Sequence, residues 1–442
     1  MSRVPRSALI VAENISRRMS GETVLPYHYL AGLRQLGTHA RAICHARCRD
    51  DLRADLPPEL FALIDFVEDS PLQYAIYRIG QWFPYRVEDL VFNQLIHVIT
   101  QFRMRGAVRR IIAEHGIEVV LEPAPIAPKA LSFMYGLGVP VVIGPMSGGM
   151  ELPPAFRRMD GRMVRWAITG ARHGAGLLHR LIPGKLRAAA LIVGNSRTRR
   201  AVPRGTTGEI REVMESGVEF ERWAPKQHHP LPSGTPVSFV FCSRFVDWKG
   251  IKYLVEAFRP LAREGGARLE LVGDGELYDD IAAQVAAAEM QDAVVLHGRL
   301  KFDDYIALLE SADVYVTPSL RECGGMAMME AMAIGLPVVS LRWGGGAQYA
   351  SDACALFVDP VSEAAVVTGL TEAMRTLARS HDLRRTMGAA ARQRIIDADL
   401  GWAAKVRDVA AIMAEMVDAA RTPAVAEPVP QVAAIPAMRS SR

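Results

Sequence analysis

The sequence is poor in cysteine and has no long apolar run. Only five of its 442 residues are cysteines, and they are scattered along the chain at positions 44, 48, 242, 323 and 354. Such a small, odd-numbered set argues against a disulfide framework and fits a reducing cytosol. No stretch reaches the ~18 apolar residues of a membrane span, and the first apolar run, 8–12, is followed by polar residues, unlike a signal peptide. We therefore expect a cytoplasmic protein.

Acidic residues are scarce in the first half of the chain. Residues 1–220 contain 29 Lys and Arg against 20 Asp and Glu, whereas the remainder contains 23 against 28. The excess is densest between Arg157 and Arg211, with thirteen basic residues against two acidic ones. This stretch could attract an anionic membrane surface or a phosphate-bearing substrate, or it could be an ordinary solvated surface. Peripheral association with the inner face of the membrane is thus one expectation.

Metal ligands do not form a convincing set. His39, Cys44, His45 and Cys48 lie close together in sequence, near one predicted strand end, but without zinc spacing. We expect neither a metal nor another cofactor. Lysine and arginine side chains and a helix N-terminus can take the place of a divalent ion in binding an anionic group.

The chain does have enough apolar residues, 50% of the total, for two cores. Its length predicts two domains, and short apolar runs alternate with helical patterns in two series, as in doubly wound α/β domains. A segment rich in proline and histidine separates the series. The predicted parts are a first domain at 1–222, a linker at 223–236, a second domain at 237–399, a returning helix at about 400–420 and a disordered tail at 422–442.

One insert, residues 71–112, has many aromatic side chains. We expect these rings to serve mostly in the core or in helix packing rather than as a substrate platform. They are Tyr74, Tyr77, Trp82, Phe83, Tyr85 and Phe102.

The strongest motif is the segment Glu322–Glu330, which follows the predicted strand 314–317 and a Pro-Ser turn. Gly324 and Gly325 would let the backbone approach a ligand, and the helix starting near Met326 would present free N–H groups to a diphosphate. Two glutamates eight residues apart also occur by chance on surface helices. The surrounding strand, glycine pair and following strand at 338–341 favour a binding site.

The two carboxylates of this motif have different expected partners. Glu330 lies where it could accept hydrogen bonds from both ribose hydroxyls, as acidic residues do in dinucleotide folds. Glu322 would reach the hydroxyls of a sugar.

Basic and glycine-rich turns follow neighbouring strands. Arg244 and Lys249 come after the strand 237–242, where they could neutralise a pyrophosphate, although a basic loop alone is a weak signal. Gly273 ends the next strand, and Gly298 with Leu300 follows the one after it. Such glycines usually only permit tight turns, but together these positions would line one edge of the sheet.

The first domain has its own loops at the corresponding edge. Ser20 and Gly21 lie in the first strand-to-helix loop, and Gly148 and Gly149 follow the predicted strand 140–143. We expect these loops to face the second domain.

Taken together, the segments Ser243–Gly250, Gly273–Gly275 and Glu322–Glu330, with Gly335-Leu-Pro-Val, resemble the family-4 retaining glycosyltransferases. The resemblance is strong over about 237–359 and continues more weakly through Gly21 and 213–223. It implies an α/β GT-B fold, in which two facing Rossmann-like, doubly wound parallel-sheet domains are joined by a C-terminal helix that crosses back.

The resemblance also implies roles for single residues. Arg244 and Lys249 would bind the diphosphate, Glu322 the sugar, Glu330 the ribose, and the amides at 324–326 the phosphate or the sugar. The sequence departs from the family after the strand 118–121, because the family often has a histidine where this chain has the Leu121-Glu122-Pro123 segment. Glu122 is therefore a candidate on the acceptor side.

The expected function is metal-independent transfer, with retention, from a nucleotide diphosphate sugar to a hydroxyl of a lipid-linked or polysaccharide intermediate. A sugar-nucleotide epimerase is one alternative and would turn over without an acceptor. A second is a binding scaffold that has lost catalysis. Nucleic-acid binding is supported only by the basic stretch, and we do not expect it.

Overall fold

The computed structural model describes residues 3–16, 21–83, 92, 94–159, 176–322 and 324–422. The first sheet is parallel, and its strands run in the order β3-β2-β1-β4-β5-β6-β7. The strands are β1 (Ser7–Val11), β2 (His39–His45), β3 (Ile64–Val67), β4 (Val119–Glu122), β5 (Val141–Met146), β6 (Ala190–Val193) and β7 (Glu209–Glu212). The central strands are buried along their whole length because helices cover both faces, which is why they read as apolar runs.

Helices connect these strands as parallel pairing requires. They are α1 (Gly21–Gln35), α2 (Arg49–Asp55), α3 (Pro58–Phe61), α4 (Pro71–Gly80), α5 (Gln94–His115) and α6 (Ser196–Ala201), with a further helical segment at 176–181. Helix α4 begins with a capping box. The Ser70 hydroxyl accepts from the backbone N–H of Gln73, and the Gln73 side chain accepts from the backbone N–H of Ser70.

The second sheet is also parallel and has the order β10-β9-β8-β11-β12-β13. Its strands are β8 (Val237–Cys242), β9 (Ala267–Val272), β10 (Val294–Gly298), β11 (Val314–Thr317), β12 (Val338–Leu341) and β13 (Ala355–Val358). Its helices are α7 (Ile251–Glu264), α8 (Tyr278–Ala287), α9 (Phe302–Ser311), α10 (Met326–Ile334), α11 (Gly344–Tyr349), α12 (Glu363–Arg379) and α13 (His381–Asp397). These two parallel sheets with their covering helices confirm the predicted α/β class.

The last described helix, α14 (Trp402–Arg421), leaves the second domain and packs on the first. Its apolar residues share a core cluster with β1, β2 and α1, and the ring of Trp402 stacks on that of His28 at 4.1 Å. Where the chain returns, the Val218 N–H donates to the Leu400 carbonyl and the Val218 carbonyl accepts from the Trp402 N–H, on either side of Gly401. The two segments that connect the domains are thus bonded to each other.

Large apolar side chains are exposed on α4, on the turn 81–83 that follows it, on α5 and on the segment 176–181. We call this set the apolar rim; it consists of Leu72, Tyr74, Tyr77, Ile79, Trp82, Phe83, Leu95, Phe102, Leu177, Leu178 and Leu181. The prediction that most aromatic rings of the insert serve in the core or in helix packing is therefore wrong for Tyr74, Tyr77 and Trp82, whose exposed fractions are 60%, 50% and 85%. Phe83 and Phe102 are also about half-exposed. Tyr85 lies outside the described residues. In the part of the chain that the structure describes, no helix is long and apolar enough to cross a membrane.

Candidate active site

A cleft of about 910 Å³ lies between the two domains. Gly21, Val24 and His28 of α1 line it from the first domain, and residues that follow β8 and β11 line it from the second. The carboxyl ends of parallel strands meet at one edge of such a sheet, where open α/β domains bind their ligands.

An ion pair stands on the second-domain wall of the cleft. Lys249 Nζ lies 2.6 Å from Glu322 Oε2, and the hydroxyl of Ser319 donates to the same oxygen at 3.0 Å. Gly250 permits this approach, since a Cβ at that position would lie 2.2 Å from the carbonyl oxygen of Pro318. Both charged side chains are mostly shielded from water, so an anion placed here would meet a positioned ammonium group.

The N-terminus of α10 opens beside this pair. Gly325, with φ of 46°, precedes the helix, and no side chain caps the first N–H groups. Free N–H groups and the positive end of the helix dipole favour a negatively charged ligand. Across the cleft, a Cβ at Gly21 would lie 3.3 Å from Met326 Cε, so the two domains are in contact at this point.

A second carboxylate lies deeper in the cleft. The hydroxyl of Tyr305 donates to Glu330 Oε2 at 2.6 Å. Burial raises the pKa of Glu330 to about 7, although the Tyr305 hydrogen bond and the nearby Arg222 favour the ionised form. The guanidinium of Arg222 stacks over the Phe302 ring and pairs with Glu219.

Glu215 is a third buried carboxylate, behind the cleft wall. Within the described residues, neither of its oxygens has a hydrogen-bond partner of good geometry, and the hydroxyl of Ser147 lies next to it. It packs against Gly194, and its Oε1 would lie 3.5 Å from a Cβ at Gly324. Burial raises the pKa of Glu215. This side chain therefore connects the first domain to the glycine loop that follows Glu322.

Six of the predicted site residues line the cleft together. They are Gly21, Lys249, Glu322, Gly325, Met326 and Glu330. Gly324 turns instead toward Ser216, whose hydroxyl would lie 2.5 Å from an added Cβ.

Other predicted second-domain residues lie away from this wall. Arg244 is exposed and faces Glu22 of α1; burial raises the pKa of Glu22 and the charge of Arg244 opposes that shift. Gly273, at φ of 138°, lets its turn pass against Ser243, because a Cβ there would collide with the Ser243 carbonyl oxygen. Gly298 ends β10, and its carbonyl accepts from the Gly273 amide. Leu300 packs on the core cluster around α10.

The predicted acceptor-side residues are scattered. Glu122 is the last residue of β4 rather than a loop residue, and it is buried beside Ser132, whose hydroxyl bonds to it at 2.5 Å. Burial raises the pKa of Glu122 and lowers that of the neighbouring Lys185. Gly148 is tied to Thr198 through its amide and its carbonyl.

Of the two remaining acceptor-side positions, only Gly149 lies within the described residues. Gly149, at φ of 68°, lies close to the backbone of Arg197. Ser20 falls outside the described residues.

Several cleft residues were not predicted. Tyr305, Phe302, Arg222, His28 and Trp402 all line it. The only local signal is the Phe302–Tyr305 spacing, which puts two rings on one face at the start of a helix. Among the described residues, no group of three or more His, Cys, Asp or Glu side chains is arranged to hold a metal ion.

Residues 222–394 match the family model of glycosyl transferases group 1. The amylovoran biosynthesis glycosyltransferase AmsK of Erwinia amylovora is 31% identical over 148 residues, 32% of this chain and 36% of that protein. A GDP-mannose-dependent monoacylated alpha-(1-6)-phosphatidylinositol monomannoside mannosyltransferase of Corynebacterium glutamicum is 30% identical over 209 residues, 43% of this chain and 52% of that protein. The chain thus spans between a third and about half of the length of these curated relatives.

Solved structures show the same fold over nearly the whole chain. HepE of Anabaena, crystallised with UDP-glucose, superposes with a TM-score of 0.58 at 16% identity, covering 92% of this chain and 98% of its own. Three observations point to the same fold: the two parallel sheets, the cleft between the domains and the segment that matches the family model. The chain has the GT-B fold, and the match to glycosyl transferases group 1 covers most of its second domain.

Proposed function

We propose that this protein is a retaining glycosyltransferase that moves a sugar from a nucleotide diphosphate sugar to a hydroxyl acceptor. The observation that carries the proposal is the arrangement at the second-domain wall, where the Lys249–Glu322 pair and the Tyr305–Glu330 pair flank the open N-terminus of α10. A cation, free amides and two carboxylates match the charge and hydroxyl pattern of such a donor.

Each group has a role in this proposal. The ammonium of Lys249 and the first amides of α10 hold the diphosphate, and Glu322 accepts from sugar hydroxyls. Glu330 accepts from the ribose, and the exposed Arg244 approaches the diphosphate when the domains close further. Because these groups supply the positive charge, the transfer needs no metal ion.

The bond from the anomeric carbon to the leaving phosphate oxygen breaks first, and its electron pair goes to that oxygen. Lys249 and the amides stabilise the negative charge that develops there. The acceptor oxygen then bonds to the anomeric carbon from the same face, and its proton passes to the leaving phosphate. No additional protein base is required.

The acceptor is proposed to be a lipid-linked or polysaccharide intermediate of cell-surface glycan synthesis. Two observations support this: the names of the two relatives, one an amylovoran biosynthesis enzyme and the other a phosphatidylinositol mannoside mannosyltransferase, and the basic first domain. A lipid-linked acceptor would require the protein to work at the face of a membrane.

Thermal unfolding with a panel of nucleotide diphosphates and their sugars tests donor binding. We expect one nucleotide to raise Tm by several degrees in the wild type and in Lys252→Ala, but much less in Lys249→Ala and Glu330→Gln. Lys252 is a matched control because it is a half-exposed lysine three residues away, near Asp247 and Asp280. The absence of any shift across the panel would rule out the proposal.

The reaction itself is followed by NMR of the sugar product. A product with the anomeric configuration of the donor supports retention, and the inverted anomer would exclude it. Turnover of the donor to an epimer without acceptor would indicate an epimerase. Tight binding with neither transfer nor epimerisation, across an acceptor panel, would indicate a scaffold.

A further inference from the structure

The apolar rim has an inverted arrangement of side chains. On α4, the only buried residues are Gln73 and Gly80, whereas Leu72 and Ile79 are 59% and 46% exposed. A surface helix of a water-soluble domain normally buries its apolar side chains and exposes its polar ones.

Polar contacts hold α4 in this orientation. The side-chain amide of Gln73 donates to the Thr100 hydroxyl of α5 at 2.8 Å and to Asp69 at 3.1 Å, and Asp69 in turn contacts His45. The inward face of the helix is therefore bonded, so its apolar side chains cannot turn inward without breaking these bonds.

Large apolar side chains are also exposed on parts of α5 and of the segment 176–181. On α5, Phe102 is half-exposed beside the buried Thr100 and Gln101, although other residues of this helix, Met104, Val108 and Ile111, are buried in the core. In the segment 176–181, His179 is buried while Leu181 is 67% exposed. The exposed apolar side chains are therefore spread over three elements, and α4 is the helix that buries none of its large ones.

The described charges around the exposed apolar side chains are mostly positive. Residues 71–83, 94–113 and 176–188 contain no aspartate or glutamate. Arg78, Arg103 and Arg180 are exposed there. Exposed aliphatic and aromatic side chains among arginines form the combination that partitions into the interface of an anionic bilayer.

The rim also lies near the cleft. The first turns of α5 reach the carboxyl edge of the first sheet, where His97 Nδ1 lies 2.5 Å from Glu13 Oε2, two residues after β1. A bilayer seated on the rim would therefore lie beside the first-domain side of the cleft.

We infer that the apolar rim seats the protein on an anionic lipid bilayer, with Leu72, Trp82 and Leu181 entering the headgroup region. This docking surface is independent of donor binding and assigns the rings of the insert to lipid contact. The arginines favour a bilayer with negatively charged headgroups, and the apolar side chains determine how deeply the protein inserts.

Co-sedimentation of the full chain with vesicles tests the inference. The vesicles contain phosphatidylcholine alone or with about a third phosphatidylglycerol. We expect binding to the anionic vesicles and at least about a tenfold weaker partition for the triple variant Leu72→Ser, Trp82→Ser, Leu181→Ser. The matched control, Val361→Ser with Ile396→Ser, removes exposed apolar side chains from the second domain and should bind within twofold of the wild type.

Two results would overturn the inference: a wild-type protein that does not bind anionic vesicles, or a triple variant that binds as well as the wild type. Sedimentation without lipid tests a second copy of the chain as the alternative occupant. If the wild type is a dimer and the triple variant is a monomer, the rim is a dimer interface. The Tm shift caused by the nucleotide diphosphate should be unchanged in the triple variant, so failure of docking and failure of the proposed donor site give different results.

Discussion

In the second domain, the polar groups at the cleft are paired with each other across neighbouring elements, as in Lys249–Glu322 and Tyr305–Glu330. In the first domain, α4 buries the polar Gln73 and turns its large apolar side chains to solvent. The first arrangement is preorganised for a small, highly charged ligand. The second arrangement is favourable only next to another apolar phase. Under the proposed function, the difference assigns donor binding to the second domain and contact with the surroundings of the acceptor to the first.

The largest expected effect comes from removing the cleft cation. Lys249→Ala should lower kcat/KM for the nucleotide diphosphate sugar by about 100- to 1000-fold, because the leaving diphosphate loses a positioned charge and Glu322 loses its partner. Steady-state transfer assays measure this, with Lys252→Ala expected to stay within twofold of the wild type. Equal losses in both variants would mean that the Lys249 position has no special role.

The next effect is a pH dependence of donor binding. Since the pKa of Glu330 is about 7, its carboxylate is mostly protonated at pH 6 and mostly ionised at pH 8, and only the ionised form accepts from both ribose hydroxyls. Calorimetry should find about tenfold tighter nucleotide binding at pH 8 than at pH 6. Glu330→Gln keeps the shape of the side chain but cannot titrate, so nucleotide binding by this variant should lose this part of its pH dependence. If the variant binds with the same pH dependence as the wild type, the effect comes from titration of the nucleotide.

A smaller effect concerns the buried carboxylate at the domain junction. The pKa of Glu215 is raised by burial, so its contribution to stability is fully present below the ordinary carboxylate range and is lost as pH rises through the folded-state pKa. Glu215→Gln should therefore raise Tm by about 2 °C at pH 8 and change it little at pH 4.5. A variant that is less stable at pH 8 would show that the charge is compensated in the folded protein.

The smallest effect is expected at the apolar rim. The triple variant that should abolish lipid docking should leave Tm within about 1 °C of the wild type, because side chains that are exposed in the folded protein gain little from folding. Trp223→Ala provides the contrast. Because Trp223 is buried, its replacement should lower the free energy of unfolding by about 3–5 kcal/mol. A large loss of Tm in the triple variant would place the rim inside the fold.

Sequence patterns predicted the fold class because the strands of a doubly wound sheet are buried on both faces. They therefore appear in the sequence as short apolar runs, each followed by a helical pattern. They also predicted that Glu322, Lys249 and Glu330 would come together, since each follows or lies near a strand end. The Tyr305–Glu330 contact could not be predicted, because it joins side chains of two different helices and depends on how α9 packs on α10.

The exposure of the insert's rings could not be predicted either. Aromatic side chains at helical spacing usually belong to a core, and only the hydrogen-bonded Gln73 reveals that α4 turns its other faces outward. The acceptor-side role of Glu122 stays a prediction; the structure places this residue at the end of β4, where the Ser132 hydroxyl donates to one of its oxygens. The roles of the individual site residues remain predictions.

The return of α14 to the first domain has a consequence for biosynthesis. Ribosomes release the chain from its first residue onward, yet the core around β1, β2 and α1 is completed only by apolar residues of Trp402–Arg421. The first domain must therefore wait, with one flank of its core uncovered, until the whole second domain has been translated. A nascent chain arrested in the linker would hold a complete sheet but an unfinished core, and it would be the form most in need of a chaperone.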